Sequence, residues 1–202
     1  MSSIQVLTSD DKKISVKIKG VSLHYANALR RICLNGIPVF AIDTVDIIEN
    51  SSVLPDEGIA HTLGLIPLKT ELEGSEGSDE SNSRVMLMLD SEATENTKVV
   101  TSAELESKDQ VVKPTSNKIP IIHLAPGQHI KLEAYARLGR GTEHSKWNSA
   151  NVSVLTHTDK DDEYVLTIET TGSLEPKQIV IAGIEELSKR LDEFKETLVN
   201  LK

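Results

Sequence analysis

The residues best suited to acid–base chemistry are Glu57 and His61, in the stretch DEGIAHTLG. They are four positions apart, so on a helix they would share one face, where a carboxylate can orient an imidazole. An acidic residue at a helix start with a histidine nearby is also an ordinary structural pattern, because acids there suit the helix dipole. The pair therefore leaves two interpretations open: a small hydrolase or isomerase, or a structural helix.

A second group of reactive side chains lies in the Gly-containing stretch LGRGTEHSKW. Cationic groups interleaved with an aromatic ring could touch a phosphate backbone. More often such a stretch forms a solvated hairpin tip or a loop that contacts another protein, and we take it as a candidate contact loop. Its residues are Arg137, which directly precedes the stretch, and Arg140, His144, Lys146 and Trp147 within it.

The third feature is a paired arginine, Arg30–Arg31, inside the otherwise apolar stretch ANALRRICLNG. Nucleic acid and a partner protein are the two ligands to consider. The chain carries 22 Lys and Arg against 31 Asp and Glu, a formal net charge of −9. Because proteins that bind nucleic acid unaided usually present a basic face, this balance favours a protein partner and no direct DNA binding.

Other kinds of chemistry lack their sequence motifs. There is no nucleophile elbow, no phosphate-binding loop and no His/Cys set with metal-ligand spacing. Cys33 is the single cysteine, which excludes an intrachain disulfide and any metal site that requires several thiolates. The chain start does not resemble a signal peptide and no apolar run has membrane-spanning length, so we expect an intracellular, cytoplasmic protein without membrane contact.

Hydrophobic periodicity predicts an α+β fold. A helix begins after Ser22 and stops at Gly36 and Pro38, and a short helix starts at Pro55. The tract 71–84 is rich in Gly, Ser and Glu, a composition typical of a flexible loop. Strands are predicted at 14–18, 39–49, 84–90, 119–124, 129–138, 150–158 and 163–172.

The strongest periodic signal runs from Pro176 to the chain end, where apolar residues are spaced by four and three. This heptad seam predicts a helix roughly 40 Å long. Such a helix usually packs against another long helix. Only one other substantial helix is predicted in this chain, so we expect another chain to supply the helices that cover the seam. A helix lying across its own sheet is the alternative, and the two are compatible. The seam comprises Val180, Ile184, Leu187, Leu191, Phe194, Leu198 and Leu201.

Three blocks of sequence resemble one known family. The stretch YANALRRICLNGIPVFAIDTVDIIENSSVLPDEGIAHTLGLIPLKTE closely resembles the D subunit of archaeal RNA polymerase and its eukaryotic counterpart, the third-largest subunit of RNA polymerase II. NALRR also resembles the amino-terminal domain of the bacterial alpha subunit. The similarity resumes at PGQHIKLEAYARLGRGTEHSKWNSA and at GSLEPKQIVIAGIEELSKRLDEF, so it covers most of the chain in the same order.

The resemblance implies a split dimerisation domain, made of an antiparallel sheet and two helices, with a mostly β domain inserted into it. The first part would cover 1–48, the insert 49–157 and the second part 158–202. The two helices of the split domain would then meet the corresponding pair of a partner chain. The implied partner interface comprises Tyr25, Ala26, Leu29, Ile32, Ile184, Leu187, Leu191, Phe194 and Leu198.

The implied partner is the small polymerase subunit L. The heterodimer would form a platform for the small subunits N and P and for the largest and second-largest subunits, which hold the catalytic magnesium. In the bacterial relatives the second arginine of the motif lies on the face that meets the second-largest subunit, so the resemblance implies that Arg31 makes that contact. Arg30, about a quarter turn away, is expected to brace the fold or the dimer.

Two features of some family members are not expected here. A zinc loop would fall near 72–84, where LEGSEGSDESNSR contains no cysteine. An iron–sulfur domain would be inserted near THTDKDDE, which is too short to contain it. We therefore expect no cofactor and favour an archaeal subunit without a cluster.

Three hypotheses follow. The first is a non-catalytic assembly subunit of DNA-dependent RNA polymerase, an enzyme only as part of that complex. The second is a free-standing hydrolase or isomerase that uses Glu57 and His61. The third is a homodimeric binding module.

Overall fold

A computed structural model describes residues 2–72, 84–158, 160 and 162–200. The chain forms two compact units, one made of Met1–Pro38 and Arg140–Lys202 and the other of Val39–Gly139. The predicted α+β class, with a split domain and a mostly β insert, is confirmed.

The units change at positions 38 and 139, whereas the sequence suggested changes after 48 and 157. Strand pairing explains the difference. The strand Val39–Asn50 pairs along its length with Gln128–Gly139 inside the second unit, and Ala150–His157 pairs inside the first.

In the described residues of the first unit, the regular structure is a four-stranded antiparallel sheet, two α-helices and a short 3₁₀ helix at Ser145–Trp147. The sheet order is β1-β2-β10-β9, so β1 and β9 are the edges. Alternate residues of β2 and β10 are buried, as expected for a sheet with one face in the core. The elements are β1 (Ser3–Ser9), β2 (Lys13–Lys19), α1 (Leu23–Asn35), β9 (Ala150–His157), β10 (Glu163–Thr170) and α3 (Pro176–Asn200).

Helix α1 begins and ends where the sequence predicts. The Ser22 hydroxyl accepts a hydrogen bond from the Tyr25 amide at 3.3 Å, which satisfies one free donor of the first turn. At the other end the Gly36 amide donates to the Ile32 carbonyl at 2.8 Å.

Helices α1 and α3 cross at a close contact between Cys33 and Gly183. A β-carbon at Gly183 would lie 2.7 Å from the Cys33 sulfur, so the glycine is what lets the backbones approach. The Cys33 thiol donates to the Ile179 carbonyl at 3.7 Å, and burial raises its pKa to about 12. This thiol is therefore a packing group, since a nucleophilic cysteine needs an accessible thiolate.

The second unit has its own apolar core, between a sheet of order β3-β8-β4-β6, a two-stranded ribbon β5-β7, and helix α2. Its elements are β3 (Val39–Asn50), α2 (Asp56–Gly64), β4 (Val85–Ala93), β5 (Lys98–Thr101), β6 (Glu106–Ser107), β7 (Pro120–Leu124) and β8 (Gln128–Gly139).

Three strands were not predicted: β1, β5 and β6. The last two are short, and β1 is exposed along its whole length, so none carries a strong buried periodicity. Most of the tract predicted as a flexible loop, residues 73–83, lies outside the described residues, as does Leu201 of the seam.

Candidate functional site

The candidate acid–base pair, Glu57 and His61, is not assembled. Both side chains are exposed on α2, and no hydrogen bond joins them in the described structure. A shallow depression of about 270 Å³ beside α2 does not include His61. It is lined by Val45, Ile47, Asp56, Glu57 and Ala60. The geometry gives no support to an imidazole oriented by a carboxylate over a substrate cleft.

Two arginines of the candidate contact loop are held by their own units. Arg137 Nε donates to Asp43 Oδ2 at 2.9 Å. Arg140 Nη1 donates to Glu186 Oε1 at 2.8 Å and also to the Gly36 carbonyl, which ties the loop to the end of α1 and to the middle of α3. These guanidinium groups therefore act within the fold.

The rest of that loop is also engaged internally. Trp147 is buried, and the Lys146 ammonium lies 4.2 Å from the centroid of its ring. His144 Nδ1 accepts a hydrogen bond from the Lys146 amide at 3.1 Å. Burial of the aromatic ring removes the stacking surface that a phosphate-binding loop of this kind would use.

The paired arginines have different surroundings. Arg30 is half-buried, and its guanidinium donates to Asn27 Oδ1 at 2.9 Å and to the Ser153 carbonyl at 3.3 Å. Arg31 is exposed, and no hydrogen bond or ion pair to its side chain is found in the described part of the chain. Arg31 is thus available to an external group.

The terminal helix presents its apolar seam to solvent beyond its first three turns. Ile184 and Leu187 are half-buried, but every residue from 191 to 200 is exposed. Leu191, Phe194 and Leu198 are 56%, 63% and 52% exposed. Large apolar side chains repeated along one stripe of an exposed helix are typical of a surface that another helix covers.

Three of the four predicted interface residues on α1 instead lie in the core of this chain. Ala26, Leu29 and Ile32 are 0%, 1% and 7% exposed, because that face packs on the sheet and on α3. Tyr25 is exposed, as is Leu23 at the helix start. Helical periodicity locates an apolar face, but it does not say which chain covers that face.

Strand β1 adds an exposed apolar surface that sequence reasoning missed. Ile4, Val6 and Leu7 are exposed on an edge strand. The β-branched content of SIQVLTS was the available signal, but its polar residues and short length made it weak.

Two further tests concern metals and membranes. Within the described ranges, no group of three or more His, Cys, Asp or Glu side chains is arranged to hold a metal ion. Across those same ranges, no helix combines the length and apolar character needed to span a membrane.

Comparison with known proteins shows the family to which the chain belongs. A family model described as the RNA polymerase Rpb3/Rpb11 dimerisation domain matches residues 15–191. The chain belongs to this family. The match starts in β2, runs across the whole second unit, and ends in α3. The expected family resemblance is therefore confirmed.

The curated relatives of the chain are named as subunits of RNA polymerase. The chain is 44% identical over 152 residues to DNA-directed RNA polymerase subunit Rpo3 of Pyrococcus horikoshii, covering 73% of this chain and 56% of the relative. It is 36% identical over 170 residues to Rpo3 of Aeropyrum pernix (77% and 59%). It is 40% identical over 156 residues to Rpo3 of Methanosphaera stadtmanae (73% and 58%). The chain thus spans somewhat more than half the length of the relatives it matches.

Proposed function

We propose that this chain is a non-catalytic subunit of an archaeal-type DNA-dependent RNA polymerase, equivalent to the D subunit. The observation that carries the proposal is the seam of Leu191, Phe194 and Leu198, exposed on the terminal helix of a chain whose family is a dimerisation domain. A helix with that stripe needs a second chain.

Its partner is the small subunit L. Leu191, Phe194 and Leu198 supply the main apolar contact, with Ile184 and Leu187 at its inner edge and Tyr25 beside α1. Ala26, Leu29 and Ile32 support this surface from beneath, since they are buried in their own chain.

The heterodimer is the platform on which the small subunits N and P and the two large subunits assemble. Arg31 contacts the second-largest subunit, because it is exposed and has a guanidinium suited to forked pairing with a carboxylate. Arg30 braces α1 against Ser153. The chain takes part in nucleotidyl transfer only as a subunit of the cytoplasmic complex, and it has no direct contact with DNA.

A second candidate is a homodimeric binding module. The exposed seam favours it to the same extent, because an apolar stripe can meet a copy of itself. What separates the two is the identity of the second chain.

Purification of the tagged chain from its own cells tests the proposal. We expect one copy of the chain per copy of each large polymerase subunit, in a complex that extends an RNA primer. Recovery of the chain only as a homodimer would favour the binding module. Recovery of the chain as a monomer without any partner would contradict both candidate functions.

Reconstitution from purified subunits tests the role of Arg31. Arg31→Ala should leave the heterodimer with subunit L intact and weaken recruitment of the second-largest subunit by about 2–5 kcal/mol, because a desolvated carboxylate loses its partner. Lys189→Ala, on the outer face of α3, is the matched control. Unchanged recruitment by Arg31→Ala would contradict the assignment.

A further inference from the structure

A groove separates α1 from the edge strand β9 in the first unit. Its volume is about 560 Å³, and it opens at the sheet edge. The apolar side chain of Leu23 is exposed there. The lining residues are Leu23, His24, Asn27, Arg30, Ser153, Val154 and Leu155.

The ladder between β9 and β10 shows which backbone groups of β9 face outward. Val154 is paired with Thr167 in the antiparallel register, and the Thr158 amide donates to the Glu163 carbonyl at 3.2 Å. Because hydrogen bonding alternates along an antiparallel strand, Val154 and Thr156 bond to β10, as Thr158 does. Their neighbours Ser153, Leu155 and His157 therefore point their amide and carbonyl groups at the free edge.

One contact supports this assignment. The Ser153 carbonyl accepts its hydrogen bond from Arg30, a side chain of α1, at 3.3 Å. Leu155 and His157, the next two outward-facing residues, have no backbone partner on that side in the described structure.

This edge lacks the features that normally discourage strand pairing. Charged side chains, proline and bulges protect most exposed edges. The eight residues of β9, ANVSVLTH, include no Lys, Arg, Asp, Glu or Pro. The register shift in its ladder is at Glu169/Thr170, at the start of β9 and away from Leu155.

The lining of the groove contains a cationic side chain, Arg30. Arg30 carries a full charge, but its described partners, Asn27 Oδ1 and the Ser153 carbonyl, are neutral. No carboxylate is found among the described residues that line the groove. An occupant with a negative charge close to an apolar side chain would complement it.

We propose that an extended segment of another polymerase subunit adds to the β9 edge as a strand. It exchanges main-chain hydrogen bonds with Leu155 and His157, as in other strand-addition complexes. Side chains two residues apart on one face of that segment enter the groove: an apolar one covers Leu23 and Leu155, and an Asp or Glu pairs with Arg30. This inference rests on the proposed function and adds a second interface, separate from the α3 seam.

Amide hydrogen exchange tests the proposal, comparing the isolated chain with RNA polymerase purified from the same cells. In the complex, exchange at Leu155 and His157 should slow by at least about tenfold. Val154 and Thr156 are internal controls, because their amides already bond to β10 and should be protected in both samples. Equally fast exchange at Leu155 and His157 in both samples would overturn the inference while leaving the polymerase assignment intact.

Variants test the charge requirement within the assembled polymerase. Arg30→Gln should reduce the protection of Leu155 and His157, whereas the control Lys189→Gln, which removes an exposed cation on the outer face of α3, should retain it. Continued protection of Val154 shows that the sheet is intact. Protection already complete in the isolated chain, or gained only when nucleic acid is added, would overturn the proposal. Absence of the chain from the polymerase would instead contradict the proposed function.

Discussion

The two halves of α3 have opposite surroundings, although one heptad spacing runs through both. In the first half Ile179, Val180 and Gly183 are buried against their own unit, with Gly183 in contact with Cys33. In the second half Leu191 and Phe194 face solvent. The first half therefore anchors the helix in the fold, and the second half projects an apolar stripe that we assign to another subunit.

The largest expected effect comes from placing a charge in the second half. Leu191→Asp should weaken association with the small subunit by at least about 3 kcal/mol, because the interface would bury an unpaired carboxylate. The melting temperature of the isolated chain should barely change, since Leu191 is exposed in it. Isothermal titration and thermal unfolding measure the two quantities.

Lys189→Asp is the control for that variant. It changes the charge more, but it lies on the outer face of α3, so association should persist. If Leu191→Asp destabilised the isolated chain and left association unchanged, the two halves of α3 would not differ as described.

The next effect tests the first half. Gly183→Ala should destabilise the isolated chain by about 1–3 kcal/mol, because the new methyl group would meet the Cys33 sulfur at 2.7 Å. The same change in a Cys33→Ala background should cost much less, since the clashing atom is gone. Denaturant unfolding of all four chains measures the coupling, and simple additivity would contradict the close contact.

A smaller effect is expected where the two halves join. Glu186 pairs with Arg140 at 2.8 Å and with Arg190 at 2.7 Å. Glu186→Gln should cost about 1 kcal/mol of unfolding free energy, and less at high salt, because these charges are partly screened. Glu185→Gln, at an exposed neighbouring position, is the control and should have no measurable effect.

The smallest effect concerns pH and lies in the second unit. His129 Nε2 is 2.8 Å from Asp90 and Nδ1 is 3.0 Å from Glu49. The hydrogen bond with Asp90, then that with Glu49, raises the pKa of His129 above its usual 6.5. Its stabilising contribution is therefore fully present below pH 6.5 and is lost as pH rises through the raised pKa.

Asp90 determines how the stabilising contribution of the same cluster changes at acidic pH. Hydrogen bonds from His129 and Lys131 lower its pKa below 3.8, so its contribution is present above pH 3.8 and is lost as pH falls through the lowered pKa. Unfolding of the chain should show a slight loss of stability above pH 6.5 that His129→Gln removes. Association through the seam should stay constant over that range, because Leu191, Phe194 and Leu198 do not titrate.

Much of the fold could be predicted because periodicity is local. The spacing from Val180 to Leu198 indicated the length of α3, and Ser22 with Gly36 indicated the ends of α1. Whether a helix face is covered by its own chain or by a partner depends on contacts between residues far apart in sequence, such as Cys33 and Gly183. Spacing on α1 therefore placed Leu29 at a partner interface, although the chain buries it internally.

The candidate site shows the same limit. The type and order of Arg30–Arg31 suggested one inward and one outward arginine, and their environments differ in that way. The pairing of Arg140 with Glu186 spans 46 positions, and the groove beside β9 requires a sheet order that no local pattern encodes. These features depend on contacts between residues far apart in the sequence, so sequence reasoning could not predict them.

The most direct test of the central claim is the mass of the species that the wild-type chain forms with purified subunit L, measured by size exclusion with light scattering. We predict a one-to-one heterodimer at micromolar concentrations, formed at the expense of any self-associated chain. A chain that remains monomeric, or a homodimer that excludes subunit L, would contradict the assignment of the exposed half of α3 to a polymerase partner.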